Sequence, residues 1–205
     1  EDEVFHCIEG THNITGIRTY LNEFFKRHGE LLPREKGPLG KELYVPKHPN
    51  HIVLLVTDYI GILDHEKDME TGQKKLNMDA YSKMVRRFRD VFSMSPVNIA
   101  QLNRSISDLN RVKLNDLKPK IADIADTSIL GRDADVILAI FDSFSYLPEG
   151  VDKDILGYEL SKLRDSRGVR YYRSLHLLKN SFETNGISLG VAFRPQIGVI
   201  KAMPK

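Results

Sequence analysis

The sequence predicts an α/β fold built on a mostly parallel sheet with antiparallel hairpins at its C-terminal edge. Strand-like apolar runs at 51–57, 96–103 and 134–142 alternate with helical periods over 14–27 and 78–92, the alternation that crossover helices and a parallel sheet produce. The first run is almost continuously apolar, as a strand buried on both faces would be. From Gly168 onward GVRYYRSLHLLKN, GISLGVAF and IGVIKAM follow in quick succession, and their short connections suit hairpins.

The elements follow in order. VFHCI (4–8) reads as a strand. Ile14, Ile17, Leu21, Phe24 and Phe25 recur at helical spacing, which predicts a helix packed by one face. The segment 29–50, rich in Gly, Pro and charge, reads as a surface excursion and an insertion. The apolar run then ends at Asp58, and Asp64 to Leu76 is a long polar loop. Asn77 is the expected cap of a helix from Met78 to Phe92, with Tyr81, Met84, Val85, Phe88, Val91 and Phe92 as its buried stripe. A strand ending near Gln101, a basic segment over 104–120 and a short helical turn around 121–130 lead into the strand ADVILAIFD.

Bulk properties bound the function. The 205 residues suffice for one domain, and 41% hydrophobic with 28% charged residues describes an ordinary globular chain. One cysteine, Cys7, excludes an intramolecular disulfide, so a cytoplasmic setting is the default. No apolar run is long enough for a membrane span, and EDEVFHC lacks the features of a signal peptide. The net charge of +2 selects no partner, although SKMVRRFRD and LNRVKLNDLKPK are locally basic and ILDHEKDME is acidic. The seven histidines show no metal-ligand spacing, and no nucleophile-elbow pattern marks a hydrolase triad.

In open α/β sheets, ligands collect beyond the carboxyl ends of the strands. Asp58 follows its strand directly, where a carboxylate can hold magnesium through water beside nucleotide phosphates; an acid capping the next turn would look the same. Gln101 stands at the equivalent end of the next strand. Its amide can orient a water or sense a terminal phosphate without adding charge, or simply bond to backbone.

These segments carry a resemblance. IVLLVTDYIGIL resembles the Walker B segment of DnaB-like replicative DNA helicases, and AQLNRS is similar to that family's glutamine sensor motif. IADIADTSILGRDADVILAIFD, with Asp133, Ala134 and Asp135, resembles the stretch after the second DNA-binding loop. LLKNSFETNGISLGVAF resembles the element that reaches a neighbouring subunit's nucleotide site. The resemblance implies a RecA-like P-loop NTPase core, incomplete, with residues 1–205 a single partial motor domain. It implies ATP and magnesium as cofactors, Asp58 as the magnesium-associated acid, Gln101 as the phosphate sensor and Lys179 as the trans-acting cation. Residues 64–78 would be the first channel loop, too acidic to contact DNA convincingly by itself. Residues 104–120 would be the second, with Arg104, Arg111, Lys113, Lys118 and Lys120 as candidate contacts to single-stranded DNA. The implied partners are further copies of the chain in a hexameric ring and a primase or helicase loader.

The chain departs from the family's pattern in three places. No GxxxxGK[ST] occurs, so the phosphate-cradling loop is missing and the expectation is a piece of a larger helicase, with a standalone product as the alternative. Ser181 stands where the family's arginine is expected, and serine cannot replace a delocalised cation. The approach to the Walker B strand is longer than the family's, which resembles a phage or mobile-element variant. Two further function classes stay open: a binding or ring-assembly module that does not hydrolyse ATP, and another RecA-like ATPase of recombinase type.

Overall fold

The structure, a computed structural model, describes residues 6–8, 13–33, 35, 41–64, 74–103, 106, 108, 110–111, 116–124, 128–148 and 150–204. The chain forms two compact units, Glu1–Gln101 and Leu102–Lys205.

In the first unit, helix α1 (Ile14–His28) starts at Asn13, whose side chain accepts a hydrogen bond from the Gly16 amide at 2.9 Å. Lys26, Arg27 and His28 in its last turn complement the negative end of the helix dipole. Its buried face is Ile17, Leu21 and Phe25. Strands β1 (Gly29–Leu32) and β2 (Leu43–Pro46) form an antiparallel ribbon inside the segment read as a surface excursion. Strand β3 (Leu54–Thr57), helix α2 (Lys74–Phe92) and strand β4 (Ser95–Asn98) follow, with β3 and β4 paired in parallel. Phe25 stacks on Phe92 at 4.3 Å, and Phe88 and Tyr44 close the same aromatic cluster. Each fully buried aromatic of this kind contributes roughly 1.5–3 kcal/mol.

The second unit holds the short helix α3 (Ile129–Asp133) and four strands, β5 (Val136–Phe141), β6 (Tyr172–Asn180), β7 (Ser188–Arg194) and β8 (Val199–Ala202). They form one sheet in the order β5-β6-β7-β8, and every neighbouring pair is antiparallel. One buried cluster of this unit is Ile106, Leu117 and Phe141, with Leu102, Tyr146, Leu147 and Ile155 packed against them.

This arrangement corrects the expected fold class. The largest sheet is antiparallel, and the parallel part among the described residues is the β3–β4 pair. Parallel neighbours need a crossover, usually helical, and α2 supplies one between β3 and β4. Between β5 and β6 the chain makes only short helical turns and tight reversals, with positive φ at Gly150, Gly157 and Gly168, so β6 returns antiparallel to β5.

Three local expectations also change. Strand β3 is not buried on both faces: Leu55 is buried, but Leu54 and Val56, which point to the opposite face, are 58% and 54% exposed. Asn77 does not cap α2, which already begins at Lys74. It is buried inside the helix, and its amide nitrogen donates to the carbonyls of Leu63 and Asp64, both at 3.1 Å. The strand expected at 4–8 falls partly outside the described residues, and His6, Cys7 and Ile8 carry no strand pairing.

Candidate functional site

Asp58 and Gln101 both lie in the first unit, just past the carboxyl ends of two adjacent parallel strands. Thr57, the last residue of β3, is in register with Asn98, the last of β4. Beyond them the Ile99 amide donates to Thr57 O at 3.0 Å and the Ile60 amide donates to Ile99 O at 3.1 Å, so the two chains stay laced together past the strands. Asp58 and Gln101 are both exposed, and the peptide bond between Asp58 and Tyr59 is cis.

A third element fixes this edge. Tyr81, fully buried on α2, places its hydroxyl 2.5 Å from Thr57 Oγ1 and donates to Asn98 Oδ1 at 3.1 Å. One phenol therefore ties helix α2 to both strand ends. Burial pushes its pKa up to about 12, against the opposing effect of the Thr57 hydrogen bond, so it stays protonated at physiological pH. Sequence reasoning assigned Tyr81 to the apolar stripe. A signal was present in the polar residues at equivalent strand ends, Thr57 before Asp58 and Asn98 shortly before Gln101.

The candidate DNA contacts belong to the second unit. Arg104 and Lys113 lie outside the described residues. Arg111 is held on every side: Nη1 meets Asp123 Oδ1 at 2.5 Å, Nε donates to Asp116 O at 2.9 Å, and Nη2 donates to Lys118 O at 3.1 Å. Asp123 is buried and accepts the Lys120 amide at 2.7 Å with its other oxygen. Arg111 thus organises the 116–123 loop from within. Lys118 and Lys120 are exposed on that loop, and Lys120 pairs with Asp116 at 2.5 Å. That pairing holds the Asp116 carboxyl below its ordinary range.

Lys179, on β6, is committed to its own chain. Its ammonium donates to the carbonyls of Gly131 at 3.1 Å and Arg132 at 2.8 Å, where it caps the end of α3. The Ser181 amide donates to Asp135 O at 2.9 Å, so position 181 is also anchored by backbone.

Further along β6, His176 is buried between two serines, with Ser188 Oγ 2.8 Å from Nδ1 and Ser174 Oγ 3.0 Å from Nε2. Burial lowers its pKa to about 4; the Lys118 charge acts in the same direction and Asp154 opposes. Among the described residues, no group of three or more His, Cys, Asp or Glu is placed to hold a metal ion, and no helix is long and apolar enough to cross a membrane. Magnesium beside a nucleotide keeps most of its ligands as water and phosphate oxygens, so a lone exposed carboxylate such as Asp58 fits it without such a group.

No protein-family profile and no characterised protein matches the sequence. Its three-dimensional structure does match solved ones. A DnaB-like replicative helicase, described with its interactions with primase, superposes with a TM-score of 0.61 at 14% identity, covering 95% of this chain and 36% of that one. The ATPase domain of G40P superposes with a TM-score of 0.61 at 15% identity, covering 95% of this chain and 52% of that one. The likeness is one of fold: the chain is built like these two structures. It spans between about a third and a half of the length of these two structures.

Proposed function

We propose that this chain is part of the motor of an ATP-dependent replicative DNA helicase of the DnaB-like kind. The observation that carries this reading is the placement of Asp58 and Gln101 beyond the ends of neighbouring parallel strands, whose last residues Thr57 and Asn98 Tyr81 ties together, in a chain whose fold superposes on a DnaB-like replicative helicase and on the ATPase domain of G40P. The carboxyl ends of parallel strands are where α/β folds present groups to a nucleotide.

In this reading Asp58 holds magnesium through a water ligand. The ion neutralises charge on the phosphates when it is bound. Gln101 hydrogen-bonds near the terminal phosphate and reports its loss to the segment that follows. Lys118 and Lys120, with Arg104 and Lys113, contact the backbone of single-stranded DNA, while Arg111 keeps the loop in shape for them. Lys179 acts on a neighbouring copy in a ring, a hexamer by family resemblance, after exchanging its two carbonyl partners for phosphate. A primase or a loader protein is the further partner class, and the lone cysteine fits a cytoplasmic setting.

The test uses the full-length gene product. Asp58→Asn should lower DNA-stimulated ATP hydrolysis by about 100-fold or more, while single-stranded DNA binding persists. Gln101→Ala should leave basal hydrolysis measurable but remove its stimulation by DNA. Full activity in Asp58→Asn would overturn the assignment. A second reading, a ring-assembly module that does not hydrolyse ATP, is favoured by the capture of Lys179 by the Gly131 and Arg132 carbonyls. A full-length product that forms rings and binds DNA without hydrolysing ATP would select it.

A further inference from the structure

The second unit carries a concentration of arginine that none of these roles uses. Residues 164–173, RDSRGVRYYR, hold four arginines in ten positions of a chain whose net charge is only +2. The turn that displays them is built from its own parts. An isolated bridge pairs Arg164 with Arg170, Asp165 Oδ1 accepts the amides of Arg167 and Val169 at 2.9 Å each, and Gly168 turns the chain with a φ of 77°. Backbone N–H groups, that of Val169 foremost, donate to the Asp165 carboxylate and hold it below the ordinary range, so it stays ionised and the turn stays closed.

A second segment meets this turn. The Phe193 amide donates to Tyr171 O at 2.6 Å, which brings the end of β7 alongside the start of β6. Between them lies a cleft of about 160 Å³ whose charged lining is Asp165, Arg167, Arg170, Arg173 and Arg194, with Gln196 adding an amide. That volume is below the several hundred Å³ of an ordinary small-molecule site and suits a single small polar group.

The four guanidinium groups are not equally neutralised. Arg167 pairs with Asp165 at 3.3 Å, and Arg173 pairs with Asp142 at 3.2 Å. Arg170 and Arg194 have aromatic neighbours instead: Arg170 stands 4.9 Å from the Phe144 ring centroid and Arg194 stands 5.8 Å from that of Tyr171. Aromatic faces orient a guanidinium without satisfying its N–H donors. Arg170 spends one donor on the Phe144 carbonyl, at 3.4 Å. The concavity therefore gathers four guanidinium groups against one lining carboxylate, Asp165, which leaves an excess of positive charge that an oxyanion relieves, with donors in the fork geometry that matches phosphate.

We propose that this cleft binds a phosphate group, presented by a free phosphate compound or by the backbone of a single nucleic-acid strand. The proposal rests on no residue given a role under the helicase reading, and it stands if that reading fails.

Arginine-directed modification with phenylglyoxal, mapped by peptide mass spectrometry on the unaltered chain, tests it. Inorganic phosphate should slow modification of Arg170 and Arg194 several-fold, while chloride at matched ionic strength should not. Protection by phosphate identifies the free anion as sufficient. Protection by an oligothymidine strand but not by phosphate identifies the strand as the source. Protection by neither, or equal protection by chloride, overturns the proposal. As a second measure, Arg170→Gln with Arg194→Gln should weaken binding of the protecting probe by about tenfold or more, with the thermal unfolding midpoint reported alongside. Unchanged affinity in that folded variant would also overturn it.

Discussion

Tyr81 shows how much one hydroxyl can hold. Its ring belongs to the apolar stripe of α2, but its oxygen joins Thr57 and Asn98 at the ends of β3 and β4. Tyr81→Phe keeps the ring but removes the hydroxyl from half-buried Thr57 and exposed Asn98, which should cost about 0.5–1.5 kcal/mol. Urea unfolding checks this as a lower midpoint with an unchanged slope. His176 makes a different demand, because burial between Ser174 and Ser188 disfavours its charged ring. The unfolded chain takes up this proton near pH 6.5 and the folded chain only near about 4, so the unfolded form binds more protons between those values. Stability from this group is intact above that window, falls as pH drops through it by at most about 1.4 kcal/mol per pH unit, and levels off below it. His176→Gln should flatten the dependence, read as urea midpoints at neutral pH and near pH 5.

At the scale of elements, the 116–123 loop depends on a residue first read as a DNA contact. Arg111 meets buried Asp123 and two loop carbonyls. Arg111→Ala would strand a buried carboxylate, a change that typically costs about 3–5 kcal/mol. The expected result is a lower melting temperature with faster amide exchange over 116–123, and unchanged exchange in α1. Strand β7 carries a steric constraint of its own. A Cβ at Gly190 would lie 2.7 Å from the Tyr158 ring and 2.8 Å from the fully buried Tyr172 ring. Gly190→Ala should therefore lower stability by about 1–3 kcal/mol, measured by thermal unfolding. The periodicity of α1 and α2 was legible because each shows its core face as a regular spacing, and β5 was legible as an uninterrupted apolar run. The start of α2 was not: Asn77 looks like a cap in sequence, and only its position beneath Leu63 and Asp64 reveals that it serves a neighbouring loop.

At the scale of the whole molecule, exposed apolar side chains sit on strands of both units. Leu138 and Ile140 on β5 are 61% and 54% exposed, and Leu54 and Val56 on β3 are comparably open. Surfaces of this kind promote association, and the chain should show an average mass above its own 23.4 kDa in light scattering at tens of micromolar. Leu138→Lys with Ile140→Lys should shift that average towards the monomer. The sequence alone determined α1, α2, the strands that flank α2 and the closely spaced C-terminal strands, though not the β1–β2 ribbon, and it placed the exposed acid and amide after two strands. Those properties follow from local spacing and from where apolar runs stop. Only the tertiary structure decided that the largest sheet is antiparallel, that Tyr81 spans two strand ends, and that Arg111 and Lys179 are held by their own chain. Each depends on which distant segments meet, and strand direction and hydrogen-bond partners leave no period in the residues that form them.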